Sequence, residues 1–190
     1  MTLLIAGIVV FLGLHLLPAA ADWRKRLVAG LGERGYKALF SLASIAAFVL
    51  LVYGFAQAPV VQVWSPPPWT RWVAIALMLP AFIFLVAAYV PGRIKAKLKH
   101  PFLVAVKTWA LAHLIANGDL ASIILFGSFL AYAVFDRITL KGRKPTGLVE
   151  APSEGGTRND VIAVLLGSAL YLAFLLWLHP LLIGTPALPG

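Results

Sequence analysis

His15 and His113 are the residues of this chain best suited to chemistry, because each stands inside an apolar stretch long enough to cross a bilayer. An ionisable side chain in hydrocarbon is costly and normally faces a partner, a cavity or a cofactor. Neutral imidazole is also the side chain best suited to bind a metal or a haem iron. For His15, three residues before Pro18, two roles fit equally well. One is a hydrogen bond to a neighbouring helix, using the slack a proline creates; the other is axial ligation. His113 offers the same choice. Helical spacing puts it on one face with Trp109, Ala110 and Asn117, and the small Ala110 and Ala112 would admit either a flat ring or a closely packed helix.

Three further polar residues accompany these two. Lys107 lies about one third of the way into its apolar stretch, where it either snorkels to the interface or pairs with a carboxylate such as a haem propionate. His100 precedes Pro101, a natural first-turn residue of a helix, and reads as structural. His179, before Pro180, reads as an amphipathic residue at a membrane interface. There is no phosphate-binding glycine loop, no intramembrane carboxylate pair, no HExxH and no nucleophile elbow. Zinc hydrolase, ATPase and proton-pump chemistry are therefore poorly supported.

The elements that must hold these residues follow from composition. The 190 residues are 61% hydrophobic, with a mean hydropathy of +0.91. A soluble domain runs at roughly 45–50% apolar, so lipid must cover the excess. Apolar windows near the roughly 20 residues of a membrane helix fall at about 2–21, 36–57, 70–91, 101–117, 120–138 and 160–184. The predicted fold is all-α, a polytopic integral membrane helical bundle of about six transmembrane helices. Asn117-Gly118-Asp119 suits a tight turn between the fourth and fifth, with Gly118 as C-terminal cap and Asp119 as the next N-cap.

The net charge of +9 comes from 16 Lys and Arg against 7 Asp and Glu. It is concentrated in the linkers between the first and second, third and fourth, and fifth and sixth windows. The positive-inside rule places those linkers in the cytoplasm and both termini outside. The charge then reflects topology and anionic lipid headgroups, not nucleic acid. No basic residue precedes the first apolar run and Arg24, Lys25 and Arg26 follow it, the reverse of a cleavable signal peptide. Trp64-Ser65-Pro66-Pro67-Pro68-Trp69 is a stiff segment suited to interfacial anchoring, with substrate gating as the lesser reading. Residues 146–159 read as a cytoplasmic loop and 1–190 as one domain. The absence of cysteine excludes thiolate ligation, disulfides and iron–sulfur clusters.

Several stretches together resemble the NnrU family of small bacterial membrane proteins. They are Gly13-Leu14-His15-Leu16-Leu17-Pro18, Leu31-Gly32-Glu33-Arg34-Gly35-Tyr36-Lys37, Tyr89-Val90-Pro91-Gly92-Arg93, Lys99-His100-Pro101, and Trp109-Ala110-Leu111-Ala112-His113-Leu114 leading into Asn117-Gly118-Asp119. The resemblance covers roughly residues 1–145. It implies a multi-pass protein of the bacterial inner membrane, an association with nitrite and nitric oxide reduction, and respiratory nitrogen-oxide reductases as partners beside membrane lipids. A homo-oligomer stays open.

The family also looks homologous to the plant zeta-carotene isomerase, which binds haem b through intramembrane histidines. By motif, the resemblance implies haem b here with His15 and His113 as iron ligands, and Lys107, Asn117 and His100 around the cofactor. Ala110 stands where the plant enzyme has a cysteine, so a ligand switch through that thiolate does not carry over. Lys99-His100-Pro101 also resembles a segment of isoprenylcysteine-type methyltransferases, but the acidic residues those enzymes need are missing from Phe102–Asn117. The alternative to a haem protein is a non-enzymatic, lipid-binding assembly factor for respiratory reductases. It is favoured if both histidines bond to backbone carbonyls.

The inferred topology sets a geometric condition. At about 1.5 Å per residue, His15 lies roughly 9 Å and His113 nearer 20 Å from the cytoplasmic ends of their spans. Two ligands of one iron need nearly equal depth. Tilt, a break at Pro18 or a fourth helix that starts deeper would close the gap of roughly 10 Å.

Overall fold

The computed structural model describes residues 1–17, 21–142 and 156–188. All of its named elements are helical. In chain order they are α1 (Thr2–Leu16), α2 (Ala21–Ala56), α3 (Trp69–Ala87), α4 (Arg93–Leu98), α5 (Pro101–Ala116), α6 (Leu120–Gly142), α7 (Thr157–Ala173), a π-helical turn (Phe174–Leu178) and α8 (His179–Ile183). The last three run without interruption. Four stretches are long and apolar enough to cross a membrane: Asp22–Ala56, Trp69–Ala87, Leu120–Leu140 and Thr157–Ile183. Thr2–Leu16 and Pro101–Ala116 are shorter apolar helices. Helices thus cover all six expected windows, four of them long and apolar enough to span, and the first is described as helical only to Leu16, short of the expected Ala21. Pro18 and most of the loop expected over 146–159 lie outside the described residues.

The chain divides into two compact units. The first comprises Met1–Val63 and Asp119–Ser128. Here α1 packs against the second half of α2 at two reciprocal glycines. A Cβ on Gly7 would sit 2.6 Å from the Leu51 Cα, and one on Gly54 would sit 2.5 Å from the Leu4 nitrogen. No side chain fits at either place, so the backbones approach as closely as small residues allow. Leu4, Ile8, Ala47 and Leu51 form the buried seam. Gly32 interrupts α2 with φ 70° and ψ 164°, a conformation that glycine adopts without the Cβ penalty. The residues before it, expected as a linker, are helical. At the other edge of this unit, Gln62 bridges to Asp119 and Leu120 N–H donates to Val61 O. Asp119 caps α6 as expected, its carboxylate accepting from Ser122 N–H at 2.9 Å.

The second unit comprises Trp64–Gly118 and Phe129–Gly190. In it α3 packs against both α5 and α7. Gly167 lies against Ile83, where a Cβ would come within 2.6 Å of the Ile83 Cα. Phe82 of α3 meets Tyr171 and Phe174, at centroid distances of 6.3 and 5.1 Å. The third linker is not all loop, since it contains α4. Asp160 of α7 accepts from Ile94 N–H at 3.0 Å and is pressed against Gly92. This tethers the last helix to the start of α4.

One expected cap differs. The C-cap of α5 is Asn117 in extended geometry, φ −120° and ψ 133°, and Gly118 is not among the residues with positive φ. Asn117 satisfies the helix end itself, with both its backbone N–H and its side-chain amide donating to His113 O at 2.9 Å. The chain then leaves extended, and Gly118 O accepts from Trp64 N–H.

Candidate functional site

In the first unit, His15 occupies the last turn of α1 and is half-buried. Its Nδ1 lies 2.7 Å from Phe11 O. A carbonyl only accepts, so the proton is on Nδ1 and the lone pair on Nε2. The ring lies 4.3 Å from Phe11 and meets Phe40 edge-on at 5.6 Å, while Phe11 reaches Phe48 and Phe40 reaches Tyr36. Arg24 stacks over Tyr36 and pairs with Glu33, which also holds Lys37 at 3.2 Å. Ser44 Oγ, one helix away, is a buried hydroxyl with no hydrogen-bond partner among the described residues.

In the second unit, His113 likewise occupies the last turn of its helix, α5. Its Nδ1 donates to Trp109 O at 2.8 Å, which fixes the same tautomer. Trp109 lies 5.3 Å from the His113 ring and meets Phe129 edge-on at 5.5 Å. Ala110 and Ala112 are fully buried against protein.

The expected site residues do not converge on one point. His113, Trp109 and Asn117 stand together at one end of α5. Lys107 is six residues earlier, about 9 Å along the axis, and is half-buried. His100 is at the other end of the helix, roughly 20 Å from His113. Burial holds the His100 imidazole below its usual 6.5; Arg137 adds to this, Asp136 opposes it and Lys99 lowers it further. His100 therefore belongs to a charged helix mouth. Since α5 starts at Pro101, the deeper start that would have raised its depth relative to the inferred topology is not found.

One residue read as incidental has a defined setting. His179 follows directly on the π-helical turn, and its Nδ1 donates to Thr185 O at 2.7 Å. The chain returns to it through Gly184, left-handed at φ 82°. The sequence signal was there in Leu178-His179-Pro180 and the following glycine, a histidine between a helix and a tight cap. A small cavity of about 220 Å³, lined by Pro66, Pro67, Pro68, Thr70, Arg71 and Ala116, lies where α3 begins and α5 ends. Ligand pockets usually span roughly 300–1,000 Å³.

Among the described residues no three or more His, Cys, Asp or Glu side chains gather as a metal site. A zinc-type centre built from protein ligands is thus not supported by them. Imidazoles with a fixed Nδ1–H, by contrast, suit an iron whose four other positions a macrocycle fills.

These helices define a helical membrane protein whose candidate chemistry rests on single, tautomer-fixed histidines. The chain matches the family described as NnrU protein over residues 3–187 and belongs to that family. The match reaches past residue 145 and includes the last helix. No curated protein and no solved structure matches the chain.

Proposed function

We propose that this chain is a haem b-binding, multi-pass protein of the bacterial inner membrane, linked to nitrite and nitric oxide metabolism or to cis–trans isomerase-type redox chemistry. The observation that carries the reading is the tautomer: the bond from His113 Nδ1 to Trp109 O puts the proton on Nδ1, the form in which an imidazole ligates through Nε2. His15, with the same bond to Phe11 O, is the second candidate. Haem b, when bound, supplies a redox-active iron. The chain's own part is to fix the imidazole, to surround it with Trp109 and Phe129, and to exclude water with apolar helix faces. Lys107, Asn117 and His100 are placed for supporting roles at most. Asn117 positions the end of α5, Lys107 sits about 9 Å from His113, and His100 lies at the far end.

The test is the absorption spectrum of the full-length protein, purified from haem-replete cells and recorded oxidised and reduced. A Soret band that shifts on reduction, at near-stoichiometric haem, is expected. Purified, folded protein without that band overturns the reading.

One observation favours a second reading. Both histidines bond to backbone carbonyls four residues earlier, which also suits a non-enzymatic, lipid-binding assembly factor for respiratory reductases. Complementation of a deletion strain by a His15→Ala, His113→Ala double variant would support it.

A further inference from the structure

No Asp or Glu occurs between Glu33 and Asp119. The described acidic residues of the second unit are Asp136 and Asp160, which belong to the His100 mouth at the start of α5 and to the tether beside α4. Both places are at the ends of α5 and α3 opposite to Ala116 and Arg71. Arg71, the third residue of α3, accordingly makes no ion pair among the described residues. A guanidinium stays charged at any working pH, and its planar fork of five N–H donors matches a carboxylate or a phosphate. Among the described residues, its own unit offers it no such counter-ion.

Arg71 stands in a built recess. With Pro66, Pro67, Pro68, Thr70 and Ala116 it lines the cavity of about 220 Å³, and among these it alone is charged. Three consecutive prolines fix φ near about −65° and supply no N–H, so this wall is stiff. Thr70 is buried, and its N–H and hydroxyl both donate to Pro67 O, at 3.0 and 2.7 Å. Those two bonds engage a carbonyl that would otherwise be free to repel an anion. Trp64 N–H donates to Gly118 O, which holds the start of the segment against the end of α5, where Ala116 forms the other wall. The room is below the roughly 300–1,000 Å³ of pockets for whole small molecules and suits a single headgroup-sized anion.

The recess lies where headgroups lie. Trp69–Ala87 is long and apolar enough to cross a membrane, and the recess is at its first turn. Trp64, Trp69 and Trp72 are all exposed, as in an interfacial aromatic belt. Further along α3, Val73 and Leu79 are exposed apolar side chains. We propose that Arg71 and the Pro66–Pro68 wall form a phosphate-binding recess that takes the phosphodiester headgroup of an anionic membrane lipid. The guanidinium holds the phosphate oxygens in a bidentate, charge-assisted pair, and the acyl chains follow the exposed face of α3. This site is separate from the histidines and stands whether or not haem is bound.

The experiment follows thermal unfolding of delipidated, full-length protein in a neutral detergent. The protein is titrated with dioleoylphosphatidylglycerol, with dioleoylglycerol, which has the same chains and no phosphate, or with inorganic phosphate. Phosphatidylglycerol is expected to raise the wild-type midpoint and dioleoylglycerol to leave it unchanged. Arg71→Gln, at an exposed position that tolerates the change, is expected to raise the lipid concentration needed for half the effect about tenfold, the loss typical of a charge-assisted bond. Arg93→Gln removes the same charge beside α4 and is expected to stay close to wild type. Ala116→Leu keeps every charge but narrows the recess, and is expected to match Arg71→Gln. Stabilisation by inorganic phosphate as strong as that by the lipid, and lost in Arg71→Gln, supports the recess with a free oxyanion as its occupant. Equal weakening in Arg71→Gln and Arg93→Gln reduces the effect to net charge and overturns the proposal. So does a dioleoylglycerol response equal to that of phosphatidylglycerol, or no stabilisation by either phosphate.

Discussion

The two units treat an imidazole in the same local way and surround it differently. In each, a histidine in the last turn of a short apolar helix donates Nδ1–H to the carbonyl four residues back. Around His15 the first unit stacks phenylalanines, Phe11 at 4.3 Å and Phe40 edge-on at 5.6 Å, and below them lies the ion-paired group of Arg24, Glu33 and Lys37. Around His113 the second unit places one tryptophan, at 5.3 Å, and a close-packed alanine seam. The two imidazoles thus share a tautomer and differ in their neighbours.

Tight packing gives the sharpest way to separate the two. Gly54→Val would force a Cβ to 2.5 Å from the Leu4 nitrogen, and Gly167→Val one to 2.6 Å from the Ile83 Cα. Overpacking of this kind costs about 1–3 kcal/mol or more. Both variants are expected to lower the melting temperature in detergent. On the haem reading, only Gly167→Val is expected to reduce haem content as well, because it presses on α3, which also packs against the α5 helix that carries His113. Equal haem loss in Gly54→Val would erase the distinction between the units.

A smaller effect is expected at the opposite end of the second unit. Asp160→Ala removes the acceptor of Ile94 N–H and is expected to cost about 1 kcal/mol, seen in the melting temperature. Haem content should hold. The His100 mouth gives a pH effect of defined sign. Its folded-state value is lowered, so its contribution is complete above 6.5 and is lost as pH falls from there through the lowered value. Wild type is expected to lose stability in that window more steeply than His100→Gln; parallel curves would contradict the assignment. Smallest of all is Glu33→Gln in the first unit. Its two ion pairs are exposed and should matter by about 0.5 kcal/mol or less, with no change in haem.

Much of the fold was legible from hydropathy alone, because lipid demands long apolar runs. The windows at 70–91, 101–117 and 120–138 start within a residue of α3, α5 and α6. What hydropathy does not carry is backbone geometry. The linker before residue 36 is helical up to a single left-handed Gly32, and a six-residue helix, α4, lies inside the third linker. Asp160 as a tether between helices depends on contact across 66 residues, which no local window reports.

The site was legible only in part. His15 and His113 stood out because a lone imidazole in an apolar run is rare and costly. His179 did not, since it sits near an interface where a polar residue costs little, and the π-helical turn before it is an all-apolar Phe174–Leu178 with no marker in composition.

The central proposal is that His113 of the second unit is the principal ligating group, His15 being set among aromatic rings of the first. The most direct test is the electron paramagnetic resonance spectrum of oxidised, full-length His15→Ala purified from haem-replete cells. The account predicts the wild-type signal at unchanged haem stoichiometry. Conversion to high-spin iron, or loss of haem from a folded protein, would contradict it and return His15 to the iron.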